Sequence, residues 1–178
     1  IVMNLDLNNF YAFKNFQINM SYPKKIIDSY IEGEFLKDRT NFRYKKINIL
    51  MGGNATGKTT VGLALMTIFN FIERKEFNGL VESICNKSKE AFFSIDFVTE
   101  SYRLYRVHST ISPRKGDEYK NSDIKLTVKA VDINKSDSYE SCVTRLLKIQ
   151  DSESEENFID ELDKVEKLTW LFSYPTDY

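Results

Sequence analysis

Residues 51 to 60 read Met-Gly-Gly-Asn-Ala-Thr-Gly-Lys-Thr-Thr. Small residues crowd in front of a single lysine, and such a run cannot fill a core. Gly52, Gly57, Lys58 and Thr59 satisfy the spacing Gly-x4-Gly-Lys-Ser/Thr. Glycine has no Cβ and tolerates positive φ. Successive backbone N–H groups along Gly52, Gly53, Asn54, Ala55, Thr56 and Gly57 can therefore converge on phosphate oxygens. Gly57 leads into a helix pattern, whose positive end favours an anion. Lys58 is placed to reach the β and γ phosphates, and the Thr59 hydroxyl to ligate Mg²⁺, with Thr60 completing the first helical turn. The chemistry predicted is binding of a nucleoside triphosphate with Mg²⁺.

Such a loop needs a strand before it and a helix after it. "KINILM", 46 to 51, is an apolar run of strand length. After the loop, Val61, Leu63, Ala64, Leu65, Met66, Ile68, Phe69, Phe71 and Ile72 make a helix that is apolar on nearly every side. That pattern predicts burial between two layers. Upstream, Met3, Leu5, Leu7 and then Phe16, Ile18, Met20 alternate as two paired strands. Residues 23–46 carry charge with weak periodicity and read as an insertion. Residues 80–90 suggest a short helix. Residues 91–133 alternate through three segments joined by turns, predicting an antiparallel β subdomain. "SYESCVTRLLKI" is ambiguous. An amphipathic helix is expected over 152–172, with Ser152 and Glu155 as a capping box and Phe158, Ile159, Leu162, Val165, Thr169 and Phe172 on one face.

The 178 residues suffice for one domain, and 42% hydrophobic with 29% charged residues is ordinary for a globular chain. A net charge of -1 gives no global basic field to draw in nucleic acid or a membrane surface. The local excess of Lys and Arg between Lys24 and Lys46 reads as a solvated surface. No stretch approaches the roughly 18 apolar residues of a membrane span. Cys85 and Cys142 stand far apart without metal-ligand company, which predicts reduced thiols and a cytoplasmic setting. The chain begins with Ile1 and stops just after a helix pattern, so a single partial domain over 1–178, a fragment of a longer protein, is expected.

Two phosphate-loop classes fit poorly. "NKSD", 134 to 137, matches the guanine-reading pattern Asn-Lys-x-Asp, with Asp137 on the base edge. However, Asp-x-x-Gly occurs nowhere, and the preceding segment alternates where a buried parallel strand would be continuous. A polar turn is the better reading of Asp137. A small kinase would need an Arg-rich lid, whereas Arg103 and Arg106 fall on a strand pattern.

"LDLNNFYAFKNFQINM" followed by "KINILMGGNATGKTT" resembles the start of ATPases of the RecF and SMC type, within the ABC-type class. Asn9, Phe10, Phe13, Phe16, Ile47, Leu50, Gly52, Asn54, Gly57 and Lys58 carry the likeness, which covers roughly residues 1 to 130. The resemblance implies an α/β phosphate-loop NTPase fold, the ATP-binding N-terminal lobe with its antiparallel β subdomain. It implies ATP and Mg²⁺ as ligands and a homodimer that sandwiches ATP. DNA or an effector is the kind of partner the resemblance allows, and the sequence does not specify the output of ATP binding.

The chain departs from that pattern at several places. Tyr11 replaces an arginine that touches phosphate in the family, and Ala55 replaces a glycine. No Walker B strand ending Asp-Glu and no signature motif is found. Asp96 follows apolar residues but comes early after Lys58, within a hairpin pattern. His108 reads as structural. Gln150 follows "LLKI" as a Q-loop glutamine on Mg²⁺ would, although a surface glutamine is the plainer reading. Phe10 and Phe13 are candidates to flank adenine, with core packing the better role for Phe13. ATP binding by a half-site, with the hydrolytic lobe outside the chain, is the function expected. The alternative is a nucleotide-binding regulatory or scaffold domain that never turns over.

Overall fold

Leu5 and Leu7 point to one side of a strand and Asn4 and Asp6 to the other, and this alternation builds β1 (Val2–Asn8). The computed structural model describes residues 1–22, 31–52, 57–150 and 157–168. β1 turns back through Asn9–Asn15 into β2 (Phe16–Asn19), with Leu5 opposite Ile18. A short pair, β3 (Phe35–Leu36) and β4 (Arg39–Arg43), follows. Next come α1 (Lys58–Arg74) and α2 (Asn78–Glu82). Three long strands, β5 (Ala91–Val98), β6 (Arg103–Ile111) and β7 (Ile124–Asp132), run to and fro. The chain then forms α3 (Tyr139–Lys148) and α4 (Phe158–Leu162).

β2, β1, β5, β6 and β7 form one five-stranded sheet in that order, antiparallel at every pairing. One face holds Leu5, Leu7, Phe93, Ile95, Phe97, Tyr105 and Val107, covered by α1, α2 and α4. Phe93 meets Phe10 and Phe71 edge-on, and Phe69 meets Phe97 likewise. Each fully buried phenyl of this kind contributes about 1.5–3 kcal/mol over leaving it in water. Among the described residues, the opposite face is covered at one end. There Met3, Val98 and Leu104 pack with Leu36, Phe42 and the Tyr139, Cys142 and Leu146 stripe of α3. No helix among the described residues is long and apolar enough to cross a membrane.

The α/β phosphate-loop NTPase fold expected from the resemblance is not what forms. The sheet is antiparallel throughout, and no parallel pairing occurs among the described residues. The decisive segment is 47–51, which is not a strand: Ile47, Ile49, Leu50 and Met51 are 60, 77, 42 and 90% exposed. An apolar run becomes a strand only against a neighbour, and here no described strand runs beside it. The β1–β2 and β5–β6 pairs are joined by short connections, which permit antiparallel partners only; a parallel partner needs a long crossover.

α1 is also one-sided. Val61, Ala64, Ile68, Phe69, Phe71 and Ile72 are buried, whereas Gly62, Leu63 and Asn70 face out. It is therefore not sandwiched between two layers of the described residues. The Ser152/Glu155 capping box, and Thr169 and Phe172, lie outside the described residues. Within them α4 is capped by Asn157, whose side chain accepts from the Ile159 amide at 3.3 Å. The helix gives way to turns at Asp163–Val165.

Candidate functional site

The sheet's apolar face fixes α1, and α1 fixes the residues with the clearest chemistry. Gly57 caps the helix at φ 89°, a left-handed conformation that L side chains rarely adopt. A Cβ there would also stand 3.3 Å from Cε1 of Phe13. Thus the last glycine of the loop is favoured by its backbone conformation, and a side chain there would also press on the Phe13 ring. α1 opens with no side-chain cap and no acidic residue in its first turn. The first amides of any helix lack intrahelical partners and carry the positive end of its dipole, and here nothing anionic on the first turn offsets it.

The Lys58 ammonium donates to the Gly52 carbonyl at 2.7 Å, folding back over the start of the loop. Thr59 is exposed. Gly53, Asn54, Ala55 and Thr56 lie outside the described residues. Lys58 and Thr59, with the Gly57 turn, thus sit together at an uncapped helix end. This arrangement can take an anion with several oxygens, and Thr59 can add one oxygen to a hard cation held mainly by that anion. No cluster of three or more His, Cys, Asp or Glu suited to a metal occurs among the described residues.

The turn between β1 and β2 forms the wall beside this end. Asn9, Tyr11 and Asn15 all have positive φ, near 62, 50 and 50°. Asn9 holds the turn in place: its side chain accepts from the Asn86 amide and donates to the Asn86 carbonyl, both at 2.8 Å. Phe10 is buried in the core against Phe93. Phe13 is half-buried, with its ring 4.5 Å from that of Phe16. The Tyr11 hydroxyl meets that of Thr67 at 2.8 Å. Thr67 lies about 13 Å along the helix axis from Lys58 at ~1.5 Å per residue. Tyr11 therefore braces the middle of α1, away from the phosphate end. Neither the Phe13–Gly57 contact nor the Tyr11–Thr67 bond is signalled by spacing, because each joins segments far apart in sequence.

A scan of protein-family models finds no match to this chain, and a search of curated proteins finds no relative.

The remaining candidates are spread elsewhere. Asp96 alternates with Ile95 and Phe97 and so faces away from α1. It is fully buried, accepts from Arg106 Nε and Nη2 at 2.7 and 2.6 Å, and accepts from the Tyr139 hydroxyl at 2.6 Å. Burial and the Asp96 charge push the Tyr139 hydroxyl far above its ordinary range, so it stays a donor. The hydrogen bond to Asp96 likewise raises Arg106. These three side chains join β5, β6 and α3.

Asp137 is similarly occupied: it pairs with Arg145 and accepts from the Asn134 amide at 2.8 Å, closing the turn before α3. The ring of His108 lies 6.1 Å from that of Phe92 on the polar face of the sheet. Gln150 is exposed just after α3. The neighbouring Ile149 carbonyl accepts from Lys129 on β7, the strand at the opposite edge from β2. At ~4.8 Å per strand, roughly 19 Å of sheet lies between those edges.

Proposed function

We propose that this chain binds ATP with Mg²⁺ at the N-terminus of α1, as the nucleotide-binding part of an ATPase of the RecF and SMC type. One observation carries the reading. A left-handed Gly57 opens a 17-residue helix that has no capping side chain and no first-turn acid, with the Lys58 ammonium folded beside it. A triphosphate there would accept from the first amides of the helix. Lys58 exchanges the Gly52 carbonyl for phosphate oxygens, a stronger, charge-assisted contact. The Thr59 hydroxyl would offer one oxygen to a Mg²⁺ held mainly by the nucleotide. Adenine lies against the Phe13–Phe16 pair, a stacking contact that reads the base poorly.

The base and phosphate contacts separate cleanly in experiment. Phe13→Ala should weaken ATP by about 1–3 kcal/mol, the usual worth of base–aromatic stacking. Binding of inorganic triphosphate, which has no base, should be unchanged. Equal ATP affinity in the wild type and Phe13→Ala would place the base elsewhere.

Turnover by residues 1–178 should stay near background. Attack on the γ-phosphoryl needs an oriented water and a group to position it, and a general base typically contributes a factor of about 10²–10⁴. The buried carboxylates among the described residues are engaged elsewhere: Asp96 with Arg106, Glu161 with Lys164, and Glu34 with the Lys46 amide. In the resembled family the missing groups come from a Walker B strand and from a second head closing on the nucleotide. The engagement of Asp96 equally favours a second reading, a regulatory or scaffold domain that binds ATP without hydrolysing it. Phosphate release at matched nucleotide occupancy tests the point. Brisk turnover by this chain alone would overturn both the half-site and the non-hydrolysing readings.

A further inference from the structure

Among the described residues β7 is a nine-residue strand at the edge of the sheet, pairing with β6 from Ile124 opposite Ile111 to Asp132 opposite Arg103. An edge that long is a template for another strand unless something occupies its rim. In an antiparallel ladder each residue turns its N–H and C=O to the same side, and alternate residues turn to opposite sides. Val128 and Asp132 share parity, and both have side-chain partners on the outer rim. The Val128 amide donates to Glu161 Oε2 at 3.0 Å, and the Asp132 carbonyl accepts from Arg145 Nη2 at 2.9 Å. Glu161 is only 3% exposed, an unusual position for a carboxylate. Phe158 and Leu162 on either side of it anchor α4 in the core, and Lys164 pairs with it.

We propose that Glu161 is an edge guard: its buried carboxylate occupies the outward amide of Val128 and keeps β7 from pairing with a second copy of this chain. The self-pairing that it blocks is well defined. A two-fold antiparallel pairing of β7 with β7 centred on Val128 sets Lys129 against Thr127 and Lys125 against Val131. No like charges face each other directly, and the interface is isologous. A centre one residue earlier would oppose Lys125 and Lys129, so the Val128 register is the favoured one.

Sedimentation of nucleotide-free protein tests the inference separately from any association driven by ATP. Glu161→Ala, and Glu161→Asp with its carboxylate drawn back by one methylene, should shift with concentration from the wild-type mass toward twice that mass. Glu161→Gln keeps an acceptor oxygen and should sediment as wild type. Adding Val128→Pro to Glu161→Ala removes the amide at an edge position, where proline is tolerated, and should restore the wild-type mass. If Glu161→Ala and Glu161→Asp both fold and both sediment as wild type, the guard role is wrong. Association that persists with Val128→Pro would equally overturn it, since the contact would then lie elsewhere.

Discussion

Asp96→Ala should cost about 3–5 kcal/mol of stability, the usual penalty for removing one partner of a buried ion pair. Much of a domain's typical 5–15 kcal/mol would go with it. Asp96 is fully buried and serves three donors: two guanidinium nitrogens of Arg106 and the hydroxyl of Tyr139. Without it, the Arg106 charge is left where water reaches it poorly, and Tyr139 loses its acceptor inside the second core. Because these groups tie β5 and β6 to α3, that helix should loosen first. Asp96→Asn, which keeps an acceptor, should cost less. Urea denaturation gives the comparison. The ATP affinity of the molecules that remain folded should match wild type, because Asp96 faces away from α1. A folded Asp96→Ala protein of wild-type stability that had lost ATP binding would put this residue in the nucleotide site instead.

The sequence makes local features of this fold legible. The alternation of residues 91–98, 103–111 and 124–132 is read directly, since each strand shows its own period-two pattern and β5 and β6 are joined by a short turn. The sequence of α3 is ambiguous because most of its surface is polar, yet its core residues Tyr139, Cys142 and Leu146 keep helical spacing. The failure at 47–51 has a different cause. Ile47, Ile49, Leu50 and Met51 have strand composition, but composition does not supply a partner, and pairing is decided by chain far away. The same limit hid the wall of the site. Phe13 belongs to the aromatic pattern before the loop, but its fit against Gly57 depends on how the β1–β2 turn docks on α1. Asn9 belonged to a family-like string, while its structural work is to clamp that turn to residues 86–90.

Lys58 carries the largest effect expected on ligand binding. It opens α1, and its ammonium donates to the Gly52 carbonyl. A charge-assisted hydrogen bond to phosphate contributes roughly 1.5–3 kcal/mol. Lys58→Ala removes it without touching the core, because the side chain lies at the surface end of the helix and the Gly57 turn is left intact. The most direct measurement is calorimetric titration of ATP with Mg²⁺ into wild type and Lys58→Ala, with unfolding midpoints recorded for both. The expected result is measurable ATP binding by wild type, weakened about 10- to 150-fold in Lys58→Ala at unchanged stability. Equal affinity in the two proteins, or no binding by a folded wild type, would contradict nucleotide binding at this loop.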